Sequence, residues 1–122
     1  MGEAGNNAVR EFSYRWSRFV ADFPCQLQIE GESQEEPARC VDISEGGMAI
    51  RSLANLQLGM QVLVNVQFPG SSGSVTLRTR VVGARNQEYG LCFVASSDDE
   101  KETVRLFLSS LKLETFPQHR LP

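Results

Sequence analysis

From residue 24 to 30 the chain alternates apolar and polar side chains. Cys25, Leu27 and Ile29 fall on one face, Gln26 and Gln28 on the other. A period of two marks a half-buried β-strand. Similar runs follow at 38–43 and 48–52. The strongest spans 60–68, where Val62, Val64, Val66 and Phe68 alternate with Leu63, Asn65 and Gln67. A Gly/Ser-rich loop at 69–74 leads into a returning strand at 75–84, and a turn at 86–90 leads into a last strand at 90–95. Then the period changes. Val104, Phe107, Leu108 and Leu111 stand at i, i+3, i+4 and i+7, the apolar stripe of a helix. Ser97 and Glu100 ahead of them form a capping box, and the acidic residues at 98–100 suit a helix N-terminus. This helix is expected to end near Lys112. Closely spaced strands followed by one helix predict an antiparallel β-barrel or closed sandwich. No βαβ alternation is present, which argues against a doubly wound fold.

The 122 residues amount to one domain, and 41% apolar against 22% charged residues supports a packed core. The net charge of −3 argues against DNA or RNA as a partner, which requires a basic field. It leaves room for a small anion held by a local group of Arg. The three Cys, at 25, 40 and 92, lie in strand-like runs without a CxxC, and read as free, mostly buried thiols. With a single histidine, His119, far from them, no metal site is expected. The start of the chain lacks a signal-peptide pattern, and no apolar run approaches membrane-spanning length. The expectation is a cytoplasmic, soluble domain. The scattered carboxylates and lone His supply no metal cluster or placed general base, so no catalytic residue is assigned and no enzyme is expected.

The chain divides into a disordered start at 1–9, an arm at 10–23, a barrel with its helix at 24–113, and a tail at 114–122. The arm interleaves Arg10, Arg15 and Arg18 with Phe12, Tyr14, Trp16 and Phe19. It reads either as chemistry or as aromatic packing against the body. Between the second and third strands lies Asp42-Ile43-Ser44-Glu45-Gly46-Gly47. Asp, Ser and paired Gly make a tight turn by local bonding and freedom of φ. They also present a carboxylate, a hydroxyl and open backbone to a ligand. A hairpin about a loop near Gln34 would set residue 24 opposite residue 44, and an extended arm reaches ~20 Å from there. Arg18 and its neighbours can then fold over the turn. Guanidinium groups grip phosphate, stack on flat rings and pair with the O6/N7 edge of guanine. A carboxylate accepts from the N1 and N2 donors of guanine. A guanine nucleotide suits this set.

Here the chain resembles the PilZ domain family. Asp42-x-Ser44-x-x-Gly47 matches that family's D/N-x-S-x-x-G motif. Arg18-Phe-Val-Ala-Asp22-Phe-Pro24 is similar to the stretch following the family's arm motif, as are Gly59-x-x-Val62 and Tyr89-Gly90-Leu-Cys-Phe93 in their places. The resemblance covers residues 13–110. It implies a six-stranded antiparallel β-barrel, mainly β, with a C-terminal α-helix, that binds cyclic di-GMP (c-di-GMP) and needs no other cofactor. It implies ligand contacts at Arg18, Asp42, Ser44 and Gly47. The family's R-x-x-x-R would place its first Arg at Tyr14; Arg15 stands one residue later and is the expected substitute, with Arg10, Tyr14 and Gly46 as secondary candidates. Ligand capture would rearrange the arm and signal to a protein partner, in motility, biofilm or pilus control. The alternative is a degenerate barrel that serves as a protein adaptor, of the type IV pilus kind, without nucleotide.

Overall fold

The computed structural model describes residues 17–120, with side chains from 17 to 111. The arm candidates Arg10, Tyr14 and Arg15, and the expected disorder of 1–9, lie outside the described residues. The elements are β1 (Phe19–Ile29), β2 (Glu35–Ile43), β3 (Gly47–Arg51), β4 (Gln61–Val66), β5 (Val75–Arg85), β6 (Glu88–Phe93) and α1 (Asp98–Arg120). The strands close into a barrel in the order β1-β2-β3-β6-β5-β4, every neighbour antiparallel. The barrel, rather than a two-sheet sandwich, is thus the outcome.

Alternation dictates the interior. Leu27, Cys40, Ile43, Ile50, Val62, Val64, Leu77 and Val81 are sealed from solvent, while their strand neighbours face out. Thr79 is the polar intruder at 0% exposure, and its hydroxyl donates to the Val62 carbonyl at 2.8 Å. That bond removes the cost of burying a hydroxyl.

The capping box forms as expected. The Ser97 amide donates to Glu100 at 2.9 Å, and the Glu100 amide donates to the Ser97 hydroxyl at 3.1 Å. Val104, Phe107 and Leu108 bury the helix stripe. Phe107 stacks on Phe68 with centroids 4.7 Å apart and meets Phe23 edge-on at 5.4 Å. The α1 backbone runs on past Lys112 to Arg120. Residues 112–116 contain neither Gly nor Pro, so no local signal ends the helix at the expected place.

Other boundaries also differ from the sequence reading. The β1–β2 turn is tighter than a loop centred on Gln34: Gln28 already pairs with Glu35, and Gly31 takes a φ of +90°. Residue 24 is therefore opposite Arg39, and the partner of Asp42 is Val20. Strand β1 begins at Phe19, so residues 19–23 of the expected arm are barrel wall. At the β5–β6 turn, Asn86 and Gln87 both have positive φ, the geometry of a two-residue hairpin loop, and β6 starts at Glu88 rather than Gly90.

Burial fixes the thiol chemistry. Desolvation pushes the Cys25 thiol up to about 11 and Cys40 to about 12, and raises Cys92 as well. Native protein at pH 8 is expected to alkylate first at Cys92, the least buried, with Cys25 and Cys40 silent until unfolding. Quantitative labelling of the native chain checks this. The unfolded chain ionises Cys25 and Cys40 from about pH 9, the ordinary value, whereas the folded chain does not until about 11–12. Stability contributed by the neutral thiols is complete below pH 9 and falls as pH rises through that window.

Candidate ligand-binding site

The motif turn is built by its own side chains. The Ser44 amide donates to the Gly47 carbonyl at 2.8 Å, and the Ser44 hydroxyl donates to the same carbonyl at 3.3 Å. That hydroxyl accepts from the Gly46 amide at 3.2 Å. Ser44 is buried, and its hydroxyl already serves two bonds inside the turn. The Gly46 carbonyl in turn accepts from the Phe93 amide at 2.9 Å, which ties the turn to β6.

Gly47 is required by the protein itself. A Cβ there would stand 2.1 Å from the Leu91 carbonyl oxygen, far inside contact distance. At this first residue of strand β3 only a hydrogen fits against β6. Close approach to a ligand is not what demands it.

Asp42 is aimed by irregular pairing on both sides of β2. Register shifts fall between Val20 and Phe23 against β1, and between Cys40 and Asp42 against β3. Bulges of this kind re-aim a side chain. The Asp42 carboxylate takes both forks of Arg18, Nε at 3.2 Å and a terminal nitrogen at 2.8 Å. The Arg18 side chain is 54% exposed and that of Asp42 27%. A pair this open contributes under ~1 kcal/mol, so a ligand can exchange either half at little cost.

Arg18, Asp42, Ser44 and Gly47 line one shallow depression of about 110 Å³. Of the expected site residues within the described part, these four come together. Gly46 does not join them. It lines a separate hollow on the other side of the turn, with Glu45, Lys101 and Arg105. Arg105 of α1 bridges to Glu45 there at 3.5 Å.

Sequence reasoning missed the floor. Ala49 pairs with Gly90, and Gly90 with Gly83, across β3, β6 and β5. Ala49 and Gly90 continue from the first depression into a second of about 480 Å³ that also takes in Arg18, Arg51, Gly83 and Arg85. A Cβ at Gly83 or Gly90 would meet nothing nearer than 3.8 Å, and neither residue has a positive φ. Packing and backbone conformation leave room for side chains that are not there. Their absence keeps the outer face flat. Small residues at outward strand positions were the available signal. Arg85 stands on this rim, and Arg51, also on it, bridges loosely to Glu88 at 3.4 Å. Among the described residues, no His, Cys, Asp and Glu gather in a group able to hold a metal ion. No helix among them is long and apolar enough to cross a membrane.

The model of the PilZ domain family matches residues 10–110, and the chain belongs to that family. The fold is shared with the PilZ domain of Escherichia coli YcgR, solved with c-di-GMP, at a TM-score of 0.70 and 20% identity over 86% of this chain and 95% of that one. It is similar also to the PilZ domain of CeSA from a cellulose-synthesizing bacterium, with a TM-score of 0.62 and 21% identity over 76% of this chain and 96% of that one. Bacillus subtilis MotI, an inhibitor of motility, gives 0.67 at 16% identity, over 82% of this chain and 51% of its own. No curated protein matches the sequence.

Proposed function

We propose that this domain is a bacterial c-di-GMP receptor that clamps its ligand between the N-terminal arm and the Asp42–Gly47 turn. One observation carries the reading: a bulge-aimed, partly exposed carboxylate, already paired with an arginine, stands beside a flat glycine floor that the fold does not need. Asp42 accepts from the N1 and N2 donors of one guanine. Arg18, released from Asp42 by that exchange, turns to phosphate and the guanine edge. Ser44 and Gly47 act by holding the turn that presents Asp42. Arg15 supplies the second guanidinium in place of the one displaced by Tyr14, with Arg10 and the ring of Tyr14 as reserves. The resulting change in the arm is the signal read by a protein partner. The YcgR PilZ structure with c-di-GMP supports the choice of ligand.

Isothermal titration calorimetry of the purified chain with c-di-GMP, against GTP as control, tests the proposal. Saturable heat with c-di-GMP alone is expected. Tyr14→Arg restores the R-x-x-x-R spacing and is expected to tighten binding about tenfold, the lower end of a charge-assisted contact. Absence of heat from both proteins would overturn the reading.

One observation favours a second reading. With Tyr14 where the family's first arm Arg stands, a barrel that recruits a protein without nucleotide is the alternative. Partner capture that is indifferent to c-di-GMP, together with silent calorimetry, is the result that would establish it.

A further inference from the structure

A groove of about 830 Å³ runs between the start of β1, the β4–β5 loop and α1. Its walls are Val20, 89% exposed, and Leu106, 63% exposed; its base is the aromatic group of Phe23, Phe68 and Phe107. Apolar side chains this exposed, beside a rim of Ser and Thr, mark a surface that something covers. It shares no lining residue with the depression holding Arg18 and Asp42.

The segment ahead of Ser17 joins the chain three residues before Val20, a wall of this groove. Trp16 is four residues from Val20, within ~14 Å along extended chain. Phe12, Tyr14 and Trp16 occupy every second position, while Ser13 and Arg15 fall between them. In extended backbone all three rings project from one side. We propose that residues 12–16 are the groove's own cover, docked by these rings against Val20, Leu106 and Phe107 when no ligand is bound. A segment lying in the groove cannot also lie over the Asp42 turn, because the two surfaces are separate and the tether is short. Docking would thus compete with ligand clamping and bare the groove when ligand wins. This competition, though not the docking, rests on the c-di-GMP reading.

Trp16 is the sole tryptophan, so its emission reports on the segment without ambiguity. In the ligand-free full chain, blue-shifted emission and protection from acrylamide are expected, relative to the urea-unfolded chain. Leu106→Glu and Val20→Glu, both at exposed positions, should each erase that blue shift with unchanged far-UV circular dichroism. Wild-type emission equal to that of the unfolded chain would overturn the docking, and so would a blue shift that both variants leave intact. Calorimetry with c-di-GMP decides the competition separately. Leu106→Glu is expected to bind more tightly than wild type, since the docked state no longer draws on the binding-competent population. Equal or weaker binding by Leu106→Glu would remove the competition. If neither protein binds, the receptor reading and the competition fall together, while the emission of the two variants still decides the docking.

Discussion

Asp42→Ala is expected to weaken c-di-GMP binding about 10- to 100-fold, the worth of ~1.5–3 kcal/mol for a hydrogen bond to a charged group. The thermal midpoint should barely move. The reason lies in the environment of the pair. Asp42 and Arg18 face solvent, so their mutual attraction adds under ~1 kcal/mol to the fold. Alanine leaves a solvated guanidinium behind and buries no orphan charge. The proposed ligand, by contrast, would lose the one carboxylate among the described residues that line the depression. Arg18→Ala should behave alike for binding, and the two changes should not simply add, because the side chains are in contact before the ligand separates them. Calorimetric affinities for the two single variants and the double variant, paired with thermal melts, check both halves. Wild-type affinity in Asp42→Ala would remove that residue from the site.

Gly47→Ala is expected to do the reverse, damaging the fold first and binding as a consequence. Its methyl group would sit 2.1 Å from the Leu91 carbonyl oxygen, which is backbone in the middle of a ladder. Strands β3 and β6 must separate or the turn must re-form. Overpacking of this kind costs about 1–3 kcal/mol. Each kcal/mol lowers the midpoint by ~4–8 °C in a domain this small. Gly90→Ala is the matched control. There the added methyl group meets ordinary contacts at 3.8 Å, so the midpoint should hold while the flat floor is roughened. Thermal melts of the two variants side by side separate a glycine the barrel requires from one the proposed ligand would require.

The contrast between these glycines explains what the sequence could tell. Strand alternation was legible because burial of Leu27, Val62, Val64 and Leu77 imposes a period of two with few exceptions. The helix start was legible because a capping box is local chemistry, and the bonds between Ser97 and Glu100 formed as read. Register was not. The sequence reading let the longer polar stretch set the centre of the first hairpin, whereas Gly31, the residue able to adopt φ +90°, sets it. That moved the partner of Asp42 from the neighbourhood of Pro24 to Val20. Arg18, Asp42, Ser44 and Gly47 were legible as a set from their spacing and the family resemblance, but the division of labour among them was not. That Ser44 spends its hydroxyl inside the turn, and that Gly47 answers to Leu91, depend on cross-strand geometry no local pattern encodes. The floor of Ala49, Gly83 and Gly90 belongs to three strands and exists only once they are in register.

Closure of the barrel has a further consequence for how such a domain addresses others. Among the described residues each strand is paired on both sides over part of its length, and the β1–β4 pairing closes the circle. A closed circle offers no complete edge strand for an extended peptide to join, the route by which many small β domains capture flexible sequences. It also spares the domain the self-association that bare edges invite. A partner of such a domain would then read side chains on the described surface, such as the guanidinium rim of Arg18, Arg51 and Arg85 or the exposed residues of α1. Recognition of that kind is set by surface chemistry and can diverge between related barrels while the backbone stays the same.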